Sequence, residues 1–165
     1  MRLRGRSVSV AALLTCLAVM SACSAEGEKP SLDEATKQLI TDGDKLVASR
    51  ELAAMGTVTV TDRADKDSEV GCLQGQVQRF FRAQGDFNSP LDVKSPSNSA
   101  GLMLGKLESL GYYKTVDELD LRDENLGVTL SQNPRTGLIF SVIVRNGQKP
   151  NIMIVGKTSC YERGG

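Results

Sequence analysis

The 165-residue chain contains no histidine and no tryptophan. Without an imidazole, Ser-His-Asp and Cys-His catalysis are excluded, as are imidazole-ligated zinc, copper and iron sites. Aromatics are few, three tyrosines and four phenylalanines, which leaves little material for a sugar-stacking cleft. Glycine-rich phosphate loops are also missing: Gly101 and Gly105 fall in a predicted helix and fit neither the P-loop nor the dinucleotide fingerprint. Lys106, Lys114 and Lys157 have serines nearby in sequence, but no SxxK spacing occurs with a supporting motif.

Long apolar runs are confined to the start. Arg2, Arg4 and Arg6 precede an apolar stretch from Val8 to Met20, followed by the small residues Ser21 and Ala22 and then Cys23. A charged region, a short apolar core and a small-residue cleavage zone make a secretory leader. The run is too short to cross a bilayer core as a stable helix, which needs about 20 apolar residues. Val19-Met20-Ser21-Ala22-Cys23 resembles the bacterial lipobox, with Met20 where leucine is usual. The resemblance implies cleavage before Cys23 and a diacylglyceryl thioether on its sulfur; ordinary cleavage near Ala25, releasing a free secreted protein, is the alternative.

The expected organisation is therefore a signal peptide over 1–22, a lipidated Cys23 with a flexible tether over 23–30, and a single extracytoplasmic domain over 31–165. Two acyl chains suffice for stable anchoring without a transmembrane helix. Ser24 to Pro30 is polar, and at about 3.4 Å per extended residue it reaches roughly 25 Å. The leader takes three of the 20 basic residues and none of the 20 acidic ones, so the mature part is mildly acidic. That balance argues against nucleic acid as a partner and against a broad electrostatic grip on anionic lipid. The lipid on Cys23 is then the membrane contact, and the outer face of the cytoplasmic membrane the expected location.

Of the four cysteines, Cys16 departs with the leader and Cys23 takes the lipid. Cys72 and Cys160 remain. An even pair in an exported protein is most simply a disulfide; two separate buried thiols are the alternative.

Ser31-Leu32-Asp33-Glu34 is a capping box, and the apolar spacing after it predicts a helix over about 32–53, interrupted in pattern by Gly43. Thr57 to Thr61 alternates like a strand. A charged loop follows, then a long strand from Cys72 to Phe87 with Gln78, Arg79 and Arg82 facing solvent. Asn88 to Ser99 reads as a loop ending in an N-cap at Ser97 or Ser99. The next helix buries Met103, Leu104, Leu107 and Leu110 and stops at Gly111, with Tyr112 and Tyr113 packing back. Strands are expected over Leu126–Gln132, Leu138–Arg145 and Asn151–Thr158, joined by turns at 133–137 and Asn146-Gly147. The class is α+β: an antiparallel meander with two helices packed on one face and one disulfide.

These features together resemble a pattern of small actinobacterial lipoproteins of poorly defined function: Gly71-Cys72 opening a strand, Leu110-Gly111-Tyr112 ending a helix, and Ser159-Cys160 near the C-terminus. The resemblance covers most of the mature chain and rests on spacing. It implies a Cys72–Cys160 bridge and an anchored domain, and brings no activity with it.

Two acidic clusters stand out, the first of them with oxygen ligands that calcium could use. Asp62, Asp65, Asp67 and Glu69 lack the EF-hand spacing and its glycine; Asp117, Glu118, Asp120, Asp123 and Glu124 surround Leu119 and Leu121 and suit an acidic outer face. Neither a metal nor a cofactor is expected. Paired carboxylates acting as a cell-wall hydrolase are the least favoured function, since that chemistry needs one carboxyl in an apolar pocket opposite another. In Phe80-Phe81, neighbours in a strand point to opposite faces, so one ring enters the core. The other, beside Val77 or Phe140, begins a candidate binding patch of Val77, Phe80, Phe81 and Phe140. The expected function is thus a non-catalytic binding or interaction domain at the cell envelope, taking an envelope protein or a small ligand on the sheet face that helices leave uncovered. A structural or regulatory partner of an envelope or receptor complex is the alternative.

Overall fold

Ser31 opens α1 (Leu32–Val47) with the predicted capping box: its Oγ accepts from the Glu34 amide at 3.3 Å, and the Ser31 amide donates to Glu34 Oε2 at 2.9 Å. Two otherwise orphaned donors are satisfied. The bond from the Ser31 amide, with that from its hydroxyl, holds the Glu34 carboxyl below its ordinary range. The computed structural model describes residues 29–88, 96–115 and 123–164. The leader, Cys23 and most of the tether lie outside the described residues, as do part of the proline-rich loop and Asp117, Glu118, Leu119, Asp120 and Leu121 of the second acidic stretch.

The single helix expected over 32–53 is two helices. Ala48 closes α1, and Ser49 caps α2 (Arg50–Met55) by accepting from the Leu52 amide at 3.3 Å. A serine that captures a free amide starts a new helix; Gly43 does not cause the break. Gly43 instead lets α1 settle on the sheet, since a Cβ there would meet the Phe81 ring at 2.7 Å. Gly156 gives way from below: its Cβ would lie 2.5 Å from Phe140 and 2.8 Å from Leu39.

The long strand expected from Cys72 to Phe87 is interrupted as well. β2 (Gln76–Val77) pairs with β8 (Tyr161–Glu162) in a separate two-stranded ribbon, and β3 (Phe80–Phe87) enters the main sheet. Between them, Gln78 is 2% exposed rather than solvent-facing, and its side-chain amide donates to the Val70 carbonyl. Arg79 turns onto Asp33 and Asp67 at 3.0 and 2.9 Å. Both side chains are satisfied by leaving the ladder.

α3 (Pro96–Ser109) is already helical at Pro96, so Ser97 and Ser99 sit inside it and do not cap it. Proline's fixed φ suits a first turn. Met103 and Leu107 are fully buried, Leu104 and Leu110 half-buried. Gly111, at φ 86°, makes the predicted left-handed stop, with the Tyr112 amide reaching back to the Leu107 carbonyl at 3.1 Å. Tyr112 is buried as expected. Tyr113, in β4 (Tyr113–Lys114), is 66% exposed, because the next residue of an extended strand points the opposite way.

β1 (Gly56–Arg63), β5 (Leu126–Gln132), β6 (Ile139–Arg145) and β7 (Ile152–Lys157) complete an all-antiparallel sheet ordered β1-β3-β7-β6-β5-β4. The predicted meander is β5-β6-β7. The helices lie on one face, α1 over β3 and β7, α2 beside β1, and α3 over β5 and β6. The class is α+β, and the Cys72–Cys160 disulfide joins the start of the β2 loop to the residue before β8 across 88 positions. Among the described residues no helix is long and apolar enough to cross a membrane.

Candidate binding face

Register decides which side chains the helices cover. In β6, Phe140, Val142 and Val144 are fully buried, whereas Ile139, Ser141, Ile143 and Arg145 are half-exposed on the other side. Cross-strand partners share a face, so the uncovered surface can be followed row by row. Val128 stands beside Ile143, Ile143 beside Met153, and Met153 beside Gln84. The next row runs Leu130, Ser141, Val155 and Arg82. A third runs Gln132, Ile139, Lys157 and Phe80.

β5 reverses the usual polarity. Its large apolar side chains, Leu126, Val128 and Leu130, are half-exposed on the open face, while Gly127, Thr129 and Ser131 lie buried beneath α3. The hydroxyls of Thr129 and Ser131 have no hydrogen-bond partner among the described residues. Small residues allow the close approach of α3: a Cβ on Gly127 would meet the Pro96 carbonyl oxygen at 2.1 Å. The strand thus gives up hydroxyl hydrogen bonds inside and apolar burial outside. Shifting by one residue would exchange the two sets, so the half-exposed leucines are fixed by register.

Charge on this face is sparse. Arg82 pairs with Asp62 and lies over the Phe80 ring at 4.1 Å. Arg145 donates to the Pro150 carbonyl at 2.9 Å and to Gln148 at 3.1 Å. Asp86 is held below its ordinary range by the hydrogen bond from Lys149. Lys157, between Ile139 and Phe80, has no carboxylate partner among the described residues. The surface sets apolar side chains of β5, β6 and β7 among polar groups and paired charges, with one uncompensated cation, Lys157, near its β7 end.

Val77, Phe80, Phe81 and Phe140 do not form one patch. Phe81 and Phe140 both enter the helix-covered core, ring centroids 6.3 Å apart, and Tyr112 stacks edge-on against Phe140 at 5.3 Å. Val77 is buried in the ribbon with β8. Only Phe80 reaches the open face. Parity places Phe140 inside, since Ser141 and Arg145 mark one side of β6 as outer and leave Phe140 with the purely apolar set.

The core also holds a carboxylate that sequence did not single out. Asp42, 2% exposed, accepts from the Tyr112 hydroxyl and from Gln38 Nε2, both at 2.9 Å. Burial, with the Asp42 charge and hydrogen bond, pushes the Tyr112 phenol well above its ordinary value. Such a pair fixes the end of α3 against α1; its atoms are occupied with one another. The (i, i+4) spacing of Gln38 and Asp42 was the available signal.

The acidic loop diverges. Asp62 meets Arg82, Asp67 meets Arg79, and Glu69 meets Arg163, so three of its four carboxylates neutralise arginines from separate elements. Asp123 caps its own turn by accepting from the Asn125 amide at 2.9 Å. A hollow of about 260 Å³ lies where α1 begins, lined by Ser31, Leu32, Asp33, Asp67, Val77, Arg79 and Gly164. Its one cation is Arg79, whose guanidinium is raised above its ordinary value chiefly by the Asp67 hydrogen bond. Two aspartates balance that charge, which suits a structural cross-tie better than an anion site. Nearby, burial and the Glu34 charge raise the Tyr161 phenol.

No family model, curated protein or solved structure matches this chain. Its chemistry is read from its own geometry, and the largest feature of that geometry is the open face of β5, β6, β7 and β3.

Proposed function

We propose that this is an extracytoplasmic domain, held at the outer face of the cytoplasmic membrane by a diacylglyceryl group on Cys23, that binds an envelope protein on its uncovered sheet face and performs no catalysis. The observation that carries the proposal is the inverted polarity of β5, which sets Leu126, Val128 and Leu130 outward while burying hydroxyls. Contiguous apolar surface of that kind marks interaction sites in exported and soluble proteins alike. The face is built by adjacent strands of one open sheet, a surface that suits a protein partner better than an enclosed small molecule. A partner fitting it is apolar at its centre with an acidic group opposite Lys157.

A photo-reactive residue at Ile143 or Met153 in intact cells is expected to yield one discrete protein adduct. The same residue at Leu102, exposed at 45% on α3, is expected to yield none. Equal labelling from both sides, or lipid adducts alone, would reject the binding proposal. The anchor is tested separately: Cys23→Ala should move the protein out of the membrane fraction and abolish lipid labelling, and unchanged retention would reject that part.

A further inference from the structure

We propose that β1 is an interface with a second copy of this chain, joining two sheets edge to edge about a twofold axis at Thr59. The inference is independent of what the open face binds.

The two edges of the six-stranded sheet differ. β4 is two residues long and ends in the exposed Lys114, and short, charged edges resist pairing. β1 is eight residues long and pairs only with β3. Across Thr57–Thr61 it has no charge and no proline, and its register shift, between Val60 and Asp62, falls at the last residue of the segment, Thr61. Over Val58–Val60, where the bonded pairs with a second copy lie, none of the usual devices blunts the edge.

The ladder fixes which backbone groups point outward. The Asn88 amide donates to the Met55 carbonyl at 3.2 Å, one step beyond the pairing of Gly56 with Phe87. Antiparallel pairs alternate between bonded and non-bonded, so Thr57 and Thr59 turn their amides and carbonyls to β3. Val58 and Val60 turn theirs outward. No other backbone group among the described residues bonds to them.

A second copy fits because the segment Thr-Val-Thr-Val-Thr reads the same in both directions. An antiparallel copy centred on Thr59 sets Thr59 against itself, Thr57 against the second copy's Thr61, and Val58 against the second copy's Val60. Each Val58–Val60 pair exchanges two backbone hydrogen bonds. The threonines, exposed in one copy, meet on the open face, while the valines, half-exposed at the edge, cover one another on the helix side. No charge meets a like charge within the paired segment, and just beyond it Arg63 is held by Asp44 at 2.9 Å and Asp62 by Arg82. α2, beside β1, exposes the small residues Ala53 and Ala54 over its second half, so no bulky side chain there faces the neighbouring α2. The contact is isologous and closes on itself.

The test is cysteine crosslinking of the full chain expressed in cells. In the paired register Thr59 faces its own copy at about 4.5 Å between Cα atoms, within disulfide reach, whereas two Thr57 positions lie about 14 Å apart. Thr59→Cys is expected to run mainly as a dimer on non-reducing gels. Thr57→Cys and Thr61→Cys are expected to stay monomeric alone and to crosslink when co-expressed. Exchange supplies a measurement without substitution: the Val58 and Val60 amides should be protected at high protein concentration and lose protection on dilution. Monomeric Thr59→Cys, equal crosslinking at all three positions, an adduct with a different protein, or fast exchange at every concentration would each overturn the proposal.

Discussion

Cys72→Ser combined with Cys160→Ser is expected to lower the unfolding free energy by about 2–5 kcal/mol, measured by urea denaturation of the oxidised parent and the variant. The bridge closes a loop of 88 positions. Cross-linking so long a segment removes many conformations from the unfolded chain, with about 4–5 kcal/mol as the upper figure of the chain-entropy account. The loss should come from the unfolded state, so reduction of the parent should reproduce it. The bridge also pins the β2-β8 ribbon, which has only two residues in each strand; isolated pairs of that length are marginal in water. In the variant, amides of Gln76 and Val77 should therefore exchange before those of β6. A variant as stable as the parent would show that the ribbon and its ion pairs hold this end unaided.

Phe140→Ala should cost about 3–5 kcal/mol, the range for removing a buried aromatic ring, while Phe80→Ala should cost less than about 1 kcal/mol, as half-exposed surface positions do. Phe140 touches Phe81 and Tyr112 in edge-to-face contact and sits against Gly156, directly under Leu39. Its removal opens a void where α1, the end of α3 and the sheet converge, with little room for backbone collapse. Phe80 is half-exposed on the open face, with the Arg82 guanidinium over its ring at 4.1 Å. Its loss should weaken capture of a partner on the open face while leaving the thermal midpoint nearly unchanged. Equal destabilisation by both substitutions would mean that Phe80 too is a core residue.

The comparison of these two rings shows how far local pattern carries. Alternation places Phe80 and Phe81 on opposite faces, and so they are. It also predicts β5, β6 and β7 within a residue or so, because turn residues bracket three apolar runs. Parity between strands is a different matter. β6 is apolar at nearly every position, so Phe140 can be assigned a face only through Ser141 and Arg145, or through its pairing with β5 and β7. β5 misleads outright, since its leucines turn outward under the demand of α3 for small residues beneath it. Ser49 caps α2, but the apolar pattern continues past it, and so the sequence reads as one helix over 32–53. The burial of Gln78 depends on the turn that brings the Val70 carbonyl to it, and that of Asp42 on Tyr112, 70 positions away, with only the Gln38 spacing as a local sign. The open face was foreseeable as the side without helices; its composition was not.

The position of the bridge also divides the domain mechanically. Residues 72–160 form a covalently closed ring that contains β3, α3 and the whole meander. α1, α2 and β1 lie ahead of it, as a strap laid across the ring and finishing at the sheet edge. Lys29, where the strap begins, rests over the Tyr161 ring at 4.5 Å beside Cys160. A pull from the N-terminal side is thus borne first by that contact and the Ser31 cap, then by α1. Tension can peel the strap and expose β3 while the ring keeps its connectivity, so the force this domain withstands is set by the seating of α1, with Gly43 on Phe81 and Leu39 on Gly156.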